Sequence, residues 1–509
     1  MFVVKNVKIW TFVSVMVLVL QALAEVLTVV VLIKLDILPI KYIVALVVLM
    51  VLLLVLVAVL LFVKIKGKIG TARRITACVL ALLIVCFFAL VAKYGSEAYK
   101  TVTGVSSGDK PTNVRNMYVL VQVDDPAQSL KDTVGYSFAA IENYETARVE
   151  KLAEKIETES GSVPQITGYE KASDLADALL GDQVDALIMN GANIALLIEE
   201  EAYETFLDQV RILYSVSYDV LDGKDTNATE PTDSVDPGKN VTNTPFVVYI
   251  SGSDTRSSIL DVSRSDVNIL MVVNPMTKQV LLLNTPRDYY VGNPAGNGAL
   301  DKLTHCGLYG VDCSMEALET LYDTDIKYYG QINFTGFETL IDAVGGITVY
   351  SDQAFTARST RIEKGENVLN GKQALDYARE RYRVSGGDNG RGKNQMKVIT
   401  AVIKKMTTGT TIISNYSAIM SSLEGMFSTN LQTSDISMLV KMQLSDLAAW
   451  DVYSYAVVGT GGSEKTYSAP GHTAYVMYPN EKSVEHASEL IKRVISGELL
   501  TQEDMTLPE

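Results

Sequence analysis

The sequence predicts an α/β protein hung from a helical membrane anchor. Two observations carry that expectation. Three long apolar runs fill the N-terminal fifth, and in the remainder short β-branched runs alternate with helical patterns, divided by glycine, proline and asparagine turns. At 509 residues the chain is long enough for two or three globular units, each with its own core.

The anchor comes first and occupies about 1–98. Ile9 to Ile33, Tyr42 to Val63 and Ile75 to Ala92 each approach the ~20 residues a helix needs to cross ~30 Å of hydrocarbon. A cleavable signal would show one shorter apolar core and a small-residue cleavage site, so these runs read as spans that stay. The second loop carries Lys64, Lys66, Lys68, Arg73 and Arg74, against Lys34 and Lys41 beside Asp36 in the first. Basic loops stay inside, which predicts a plasma-membrane protein with a cytoplasmic N-terminus and everything after about Lys93 extracytoplasmic. Glu25 in the first span reads as a paired or partly hydrated carboxyl rather than a polar pathway.

Cysteine and histidine usage excludes one class of chemistry. Cys78 and Cys86 fall in the third span and read as small packed side chains. For Cys306 and Cys313 a disulfide and two free thiols stand as equal readings. With only His305, His472 and His486, and no zinc-binding spacing, a zinc hydrolase is not expected.

A small α/β unit is expected over 112–220. Met117 to Val123 reads as a buried strand, Tyr144 to Glu157 as an amphipathic helix and Ser173 to Leu180 as a shorter one. Val184 to Met189 reads as a strand, and Ala195 to Val210 as a helix. It has no glycine-rich phosphate loop, so it reads as an accessory domain. Residues 221–244, rich in Asp, Asn, Thr, Pro and Gly, read as a linker.

The pattern tightens over 245–500. Phe246 to Ile250 is a strand running into Ser251-Gly-Ser-Asp254. Val267 to Val273 is a second, turning through Asn274-Pro275 and returning as Gln279 to Leu283, with Pro286-Arg287-Asp288 directly after it. Carboxylates and an arginine therefore lie at strand ends, where open α/β sheets build their sites. Ser314 to Tyr322 is helical, Thr335-Gly-Phe-Glu338 reads as a capping box for a helix stopped by Gly345-Gly346, and Asn370 caps the helix that carries Arg379 and Arg381.

Against a formal net charge of −15, Arg379, Arg381, Arg383, Arg391 and Gln395 crowd into one stretch, which predicts an anionic ligand. After the glycine-rich loop Arg391 and Gln395 fall in the first turns of a helix, where free N–H groups also favour a phosphate. The plain rival is a solvated, salt-bridged face. His305 reads as a structural histidine, and Lys302 with it as shaping a nearby loop.

The ordered motifs Gly252-Ser-Asp254-Thr, Arg264-Ser-Asp266, Thr285-Pro-Arg287-Asp288, Asp301-Lys302-Leu-Thr-His305, Asn333-Phe-Thr, Arg379-Glu-Arg381-Tyr and Gly386-Gly-Asp388-Asn-Gly-Arg391-Gly-Lys-Asn-Gln395 resemble the LytR-CpsA-Psr family of Gram-positive cell-envelope proteins, in its capsule-associated branch. The resemblance implies a catalytic domain with a central mixed sheet flanked by helices. It also implies a phosphotransferase that moves a capsular or teichoic acid-like polymer from an undecaprenyl-pyrophosphate carrier to peptidoglycan.

Motif by motif, the resemblance makes Arg287, Arg379, Arg381, Asp388 and Arg391 catalytic. Arg287, Arg379, Arg381, Arg391 and Gln395 would grip the pyrophosphate, and Asp254 and Asp266 would hold Mg2+ or Mn2+. Asp388 has three candidate roles in descending order: orienting Arg391 or Arg381, capping the helix, or accepting the incoming hydroxyl proton. The implied partners are the lipid-linked glycan, peptidoglycan, the plasma membrane and other capsule-synthesis membrane proteins. A nucleic-acid partner is not expected, because no basic DNA-reading helix is present. A polyprenyl pyrophosphatase and a non-catalytic regulator of capsule synthesis are the rival functions.

Overall fold

A computed structural model describes residues 2–63, 68–106, 114–219, 240–253, 263–408, 415, 418–419 and 426–508. Three helices open the chain: α1 (Phe2–Leu35), α2 (Ile40–Phe62) and α3 (Lys68–Ser106). By length and composition Trp10–Leu35, Ile40–Phe62 and Ile69–Glu97 can each cross a membrane. Their common seam buries Val57, Leu61, Ala77, Ala81 and Phe88, the alanines allowing close helix approach. Glu25 is buried in α1 and accepts from Gln21 Nε2 at 2.8 Å, one turn away, so the intramembrane carboxyl is paired within its own helix.

The accessory unit is a five-stranded sheet in the order β3-β2-β4-β1-β5. Its elements are β1 (Val114–Gln122), β2 (Ser137–Ile141), α4 (Thr146–Ser160), β3 (Gln165–Tyr169), α5 (Ala172–Leu180), β4 (Ala186–Asn190), α6 (Gly191–Leu197), α7 (Phe206–Gln209) and β5 (Val210–Asp219). Leu152 and Ile156 of α4 cover one face, and Leu175, Ala176 and Leu179 of α5 the other.

One expectation fails here. The continuous helix over Ala195–Val210 is broken into two pieces after Leu197. Three consecutive glutamates, Glu199 to Glu201, follow the first piece, and the chain from Val210 becomes an edge strand antiparallel to β1. The alternating residues of that strand had passed unread among short polar interruptions.

The larger unit is built on a six-stranded mixed sheet, order β16-β11-β6-β7-β8-β17. In chain order it runs β6 (Phe246–Ser253), β7 (Ser265–Asn274), β8 (Gln279–Asn284), β9 (Tyr290–Asn293), β10 (Ala299–Lys302), α8 (Leu303–Cys306), α9 (Val311–Tyr322), β11 (Tyr328–Asn333) and α10 (Phe334–Ala343). Next come β12 (Ile347–Ser351), β13 (Phe355–Ala357), β14 (Thr360–Ile362), β15 (Gly365–Leu369), α11 (Gly371–Arg379), α12 (Gly387–Thr407) and β16 (Phe427–Thr429). The chain closes with α13 (Thr433–Asp446), β17 (Asp451–Ala456), β18 (Gly459–Thr466), β19 (Ala469–Pro479) and α14 (Glu481–Ser496).

β8 shows why this sheet is covered on both sides. Leu281 and Leu283 point into a core with Leu318 of α9 and Leu490 of α14, while Val280 and Leu282 point into another with Met396 of α12. A strand buried on both faces reads as a continuous apolar run, as Val-Leu-Leu-Leu does here. Each leucine so buried contributes roughly 1.5–3 kcal/mol.

One further reading is corrected and one open alternative is decided. α10 is capped by Asn333, whose side chain accepts from Gly336 N at 2.8 Å, so the box does not start at Thr335. Cys306 and Cys313 are free, buried thiols rather than a bridge, and Cys313 Sγ donates to Asn293 Oδ1 at 3.3 Å. The hydrogen bond with Cys313, and burial, push the Cys306 thiol well above its ordinary range. Most of the expected linker and Asp254 lie outside the described residues.

The two units meet through specific contacts. Tyr144 and Tyr309 hydroxyls lie 2.7 Å apart, Arg115 Nε donates to Leu308 O at 3.1 Å, and Asn193 Nδ2 donates to Ser468 O at 3.1 Å.

Candidate active site

The strand directions place one edge of the large sheet in a single neighbourhood. β6 runs parallel to β11, and β7 antiparallel to both β6 and β8. The last residues of β6, β8 and β11 and the first of β7 therefore share that edge. It carries Ser251 and Gly252, Asp266 and Val267, Ile332 and Asn333, with Arg287 just past β8.

Two helices close over this edge. α11 ends at Arg379, and a turn through Gly386 (φ +86°) and Gly387 (φ +55°) aims the N-terminus of α12 back at it. Those left-handed angles favour glycine. A Cβ on Gly392 would collide with the Asn284 side chain at the end of β8, so a glycine there lets α12 sit against the strand.

Between helices and strand ends lies a cavity of about 220 Å³. Its polar wall includes Asp266, Arg358, Arg379, Arg391 and Gln395, and its apolar wall includes Ile332, Phe334, Phe337 and Val398. Four of the sequence-predicted residues thus share one chamber. Arg287 joins them through its neighbour, with Nη1 2.6 Å from Asp266 Oδ1.

Each arginine is held from behind. The Arg379 guanidinium stacks on the Phe334 ring at 4.0 Å, an arrangement worth ~0.5–2 kcal/mol. Arg391 Nη2 lies 2.5 Å from Asp388 Oδ1, one turn away on α12, so Asp388 orients Arg391. Gln395 Nε2 donates to Ala378 O at 3.4 Å, tying α12 to the end of α11. Glu380 braces the loop between them by accepting from the backbone N–H groups of Tyr382 and Arg383, at 2.9 and 3.0 Å.

Electrostatics mark the site as under tension. Burial pushes the Asp388 carboxyl above its usual range and Asp288 adds to that push, against the opposing pull of Arg391, Arg287 and Arg381. Arg287 Nε is buried with no hydrogen-bond acceptor, and so is Asn389 Oδ1 with no donor, among the described residues. Buried polar atoms are normally satisfied, and of these two residues Arg287 is joined to the cavity through Asp266. Lys302 Nζ meets Asp288 Oδ1 at 3.0 Å, outside the chamber.

Some placements differ from expectation. Arg381 does not line the cavity: it is exposed, over the ring of Tyr382 at 5.3 Å, although still near enough to act on Asp388. The helix expected to carry both arginines ends at Arg379, and the loop after it turns Arg381 outward. Arg383, left out of the expected set, is tied to Thr356 O at 3.0 Å.

Two arginines were missed. Arg358 occupies the tip of the β13–β14 hairpin with φ 49° and reaches the cavity from across the fold, a placement no local pattern signals. Arg264 precedes Asp266 within a quoted motif but was given no role. Burial, and repulsion from Arg287, pull its guanidinium below the ordinary range, and it pairs with Glu199 of the accessory unit. His305 is structural, Nδ1 lying 2.6 Å from buried Asp301 Oδ1.

A divalent metal was tested on the donor set. Among the described residues no cluster of three acidic, histidine or cysteine side chains exists. Mg2+ needs only one or two carboxylates beside phosphate oxygens and water, and Asp266 on the cavity wall meets that smaller demand.

Comparison with known proteins follows the same residues. A sequence model of the LytR_cpsA_psr family matches residues 213–489, over half of the chain. The polyisoprenyl-teichoic acid–peptidoglycan teichoic acid transferase TagU of Enterococcus faecalis is 36% identical over 38% of this chain and 63% of its own length. TagU of Bacillus mycoides is 32% identical over 45% of this chain and 73% of its own. The solved structure of TagT bound to LI-WTA covers 51% of this chain and 93% of its own at 25% identity, with a TM-score of 0.42. The chain spans between about half and two thirds of the first TagU relatives, 63% of one and 52% of another. On the family match, with the cavity assembled from the same motifs, the chain belongs to the LytR-CpsA-Psr family.

Proposed function

We propose that this protein transfers a glycopolymer from a polyprenyl-pyrophosphate carrier to peptidoglycan, on the outer face of the plasma membrane. The observation that carries the reading is the cavity itself, one wall cationic and the other apolar. A diphosphate joined to a hydrocarbon chain matches both walls, and a soluble phosphate would leave the apolar one unmatched. The names of the TagU relatives agree with this chemistry.

Cleaving a pyrophosphate requires charge neutralisation and alignment more than a protein nucleophile. Arg379 and Arg391 would take the phosphate oxygens, with the N-terminus of α12 and Gln395 beside them. Arg287 would exchange part of its bond to Asp266 for a phosphate oxygen, which would satisfy its orphaned Nε. Asp388 would hold the Arg391 fork in plane. Asp266, together with Asp254, would hold Mg2+ or Mn2+, which would supply further neutralisation of the diphosphate. Phe334, Phe337 and Val398 would exclude water and cradle the first isoprene units. The glycan-bearing phosphoryl group would pass to a peptidoglycan hydroxyl, its P–O bond to the carrier phosphate breaking as polyprenyl monophosphate leaves with the electron pair and the hydroxyl's proton passing to an oxygen of that leaving phosphate.

Product analysis tests this reading. Incubated with lipid-linked glycan and peptidoglycan, the full chain is expected to yield glycan phosphodiester-linked to the wall and polyprenyl monophosphate, both dependent on acceptor. Glycan phosphate released at the same rate without acceptor would instead make it a pyrophosphatase.

A further inference from the structure

The turn between the first two spans is too apolar for a connector at a water interface. It reads Leu35-Asp36-Ile37-Leu38-Pro39, and in the structure Leu35 and Ile37 are only 6% and 7% exposed. What buries them is not lipid-facing helix but the catalytic domain. Both enter a core with Ile341 and Val344 of the α10 region, Val398 and Ala401 of α12, and Val440 and Leu444 of α13.

Polar contacts ring this apolar plug. Asp36 Oδ1 meets Lys441 Nζ at 2.5 Å, Lys41 Nζ donates to Ser445 O at 2.6 Å, and Tyr42 OH donates to Leu444 O at 3.2 Å. A left-handed residue, Asp36 (φ 50°), and Pro39 at the start of α2 fix the shape of the turn between. Helix α3 also packs against β16 and α13.

The same core reaches the cavity. Val398 is buried in it, Ile332 and Phe337 pack against it, and all three line the apolar wall of the active site. One continuous apolar body thus runs from the membrane-side turn to the chamber holding the arginines. A tether would need none of this, since a covalent linker alone keeps a domain near its bilayer.

We infer that the turn at residues 35–41 is a seat for the catalytic domain: it fixes the apolar wall of the cavity against the bilayer surface, so that a carrier's hydrocarbon chain passes from lipid to cavity without crossing water. This rests on the proposed lipid-linked substrate, but the docking itself does not. The two turn side chains are buried whereas the Asp36–Lys441 pair is largely exposed, so Ile37 is the residue to change.

Two measurements on the full chain test it. In native membranes the double variant Asp36→Cys/Lys441→Cys is expected to be joined by a short bismaleimide, and absence of the cross-link overturns the seat whatever the enzyme does. In lipid nanodiscs Ile37→Glu is expected to lower turnover of a long-chain carrier roughly tenfold while turnover of a detergent-dispersed short-chain analogue stays within about twofold, because chemistry is intact and only delivery is misplaced. Ile37→Val should match the parent on both. Equal losses on the two substrates, or none on either, would overturn the inference. Failure of the parent chain to use either substrate would strike the proposed function instead, leaving the cross-link to decide the seat.

Discussion

Two carboxylates of the larger unit, Asp301 fully buried and Asp388 half-buried, stand in opposite circumstances. Asp301 accepts from His305 Nδ1 at 2.6 Å, Lys302 N at 2.8 Å, Asn293 Nδ2 at 3.0 Å and Ser468 N at 3.1 Å, with the Ser468 hydroxyl as a further donor. Burial alone would raise its pKa, yet His305, Ser468 and Asn293 outweigh that and hold it below the usual range. Asp388 has one close cationic partner, Arg391, and burial prevails there, raising its pKa. Both carboxylates come from motifs of the same family. The contrast separates a charge that holds the fold together, with its acceptor capacity filled, from one kept short of partners beside a chamber that a ligand can fill.

Breaking Asp301 should therefore cost the fold most. Asp301→Ala leaves His305 and Asn293 without their acceptor and is expected to lower stability by ~3–5 kcal/mol, read by denaturant unfolding of the full chain in detergent. A loss under about 1 kcal/mol would erase the distinction. Arg391→Ala should show the reverse pattern, a loss of roughly 10²–10³ in transfer rate with little change in melting temperature.

Proton linkage sharpens the comparison. The folded pKa of Asp301 is depressed, so its contribution is present above the unfolded carboxylate value and is lost as pH falls through the lower folded one. The folded pKa of Asp388 is raised, so its penalty appears as pH rises through that value. Above about pH 4 the melting temperature of Asp388→Asn should climb relative to the parent, whereas that of Asp301→Asn should fall relative to it only as pH rises toward about 4 from the acid side and run parallel above that. A flat Asp388→Asn difference above about pH 4, or a flat Asp301→Asn difference below it, would contradict the corresponding assignment.

The smallest expected effects come from residues that only border the chamber. Arg358→Ala should raise the Michaelis constant by about threefold to tenfold with kcat little changed, because an exposed hairpin-tip guanidinium adds binding shared by ground and transition states. Glu199→Gln, which frees Arg264 from the accessory unit, should shift turnover by no more than about threefold, the scale of an exposed pair.

Much of this site was legible before any coordinates, for a physical reason. Strand ends, helix termini and glycine-rich turns are local, so Asp266, Arg287, Arg379, Arg391 and Gln395 could be singled out from the motifs around them, and Asn370 as a helix cap. The illegible parts depend on long-range closure. Arg358 reaches the chamber only because a hairpin folds over it, Arg381 turns out of it in a loop, and Cys306 and Cys313 remain thiols in a core that only packing defines. Strand β5 was legible but misread: Val210, Ile212, Tyr214, Val216 and Tyr218 alternate over its ten residues, and the helical reading of the preceding segment ran into its first residue.

The central claim is that the guanidinium groups of Arg379 and Arg391 on the cavity wall bind a diphosphate. Calorimetric titration of a short-chain prenyl pyrophosphate into the detergent-solubilised full chain tests it most directly. Binding should be at least about tenfold tighter than for the corresponding monophosphate, and Arg391→Ala should remove that preference. Equal affinity for the two, or a preference that survives Arg391→Ala, would contradict it.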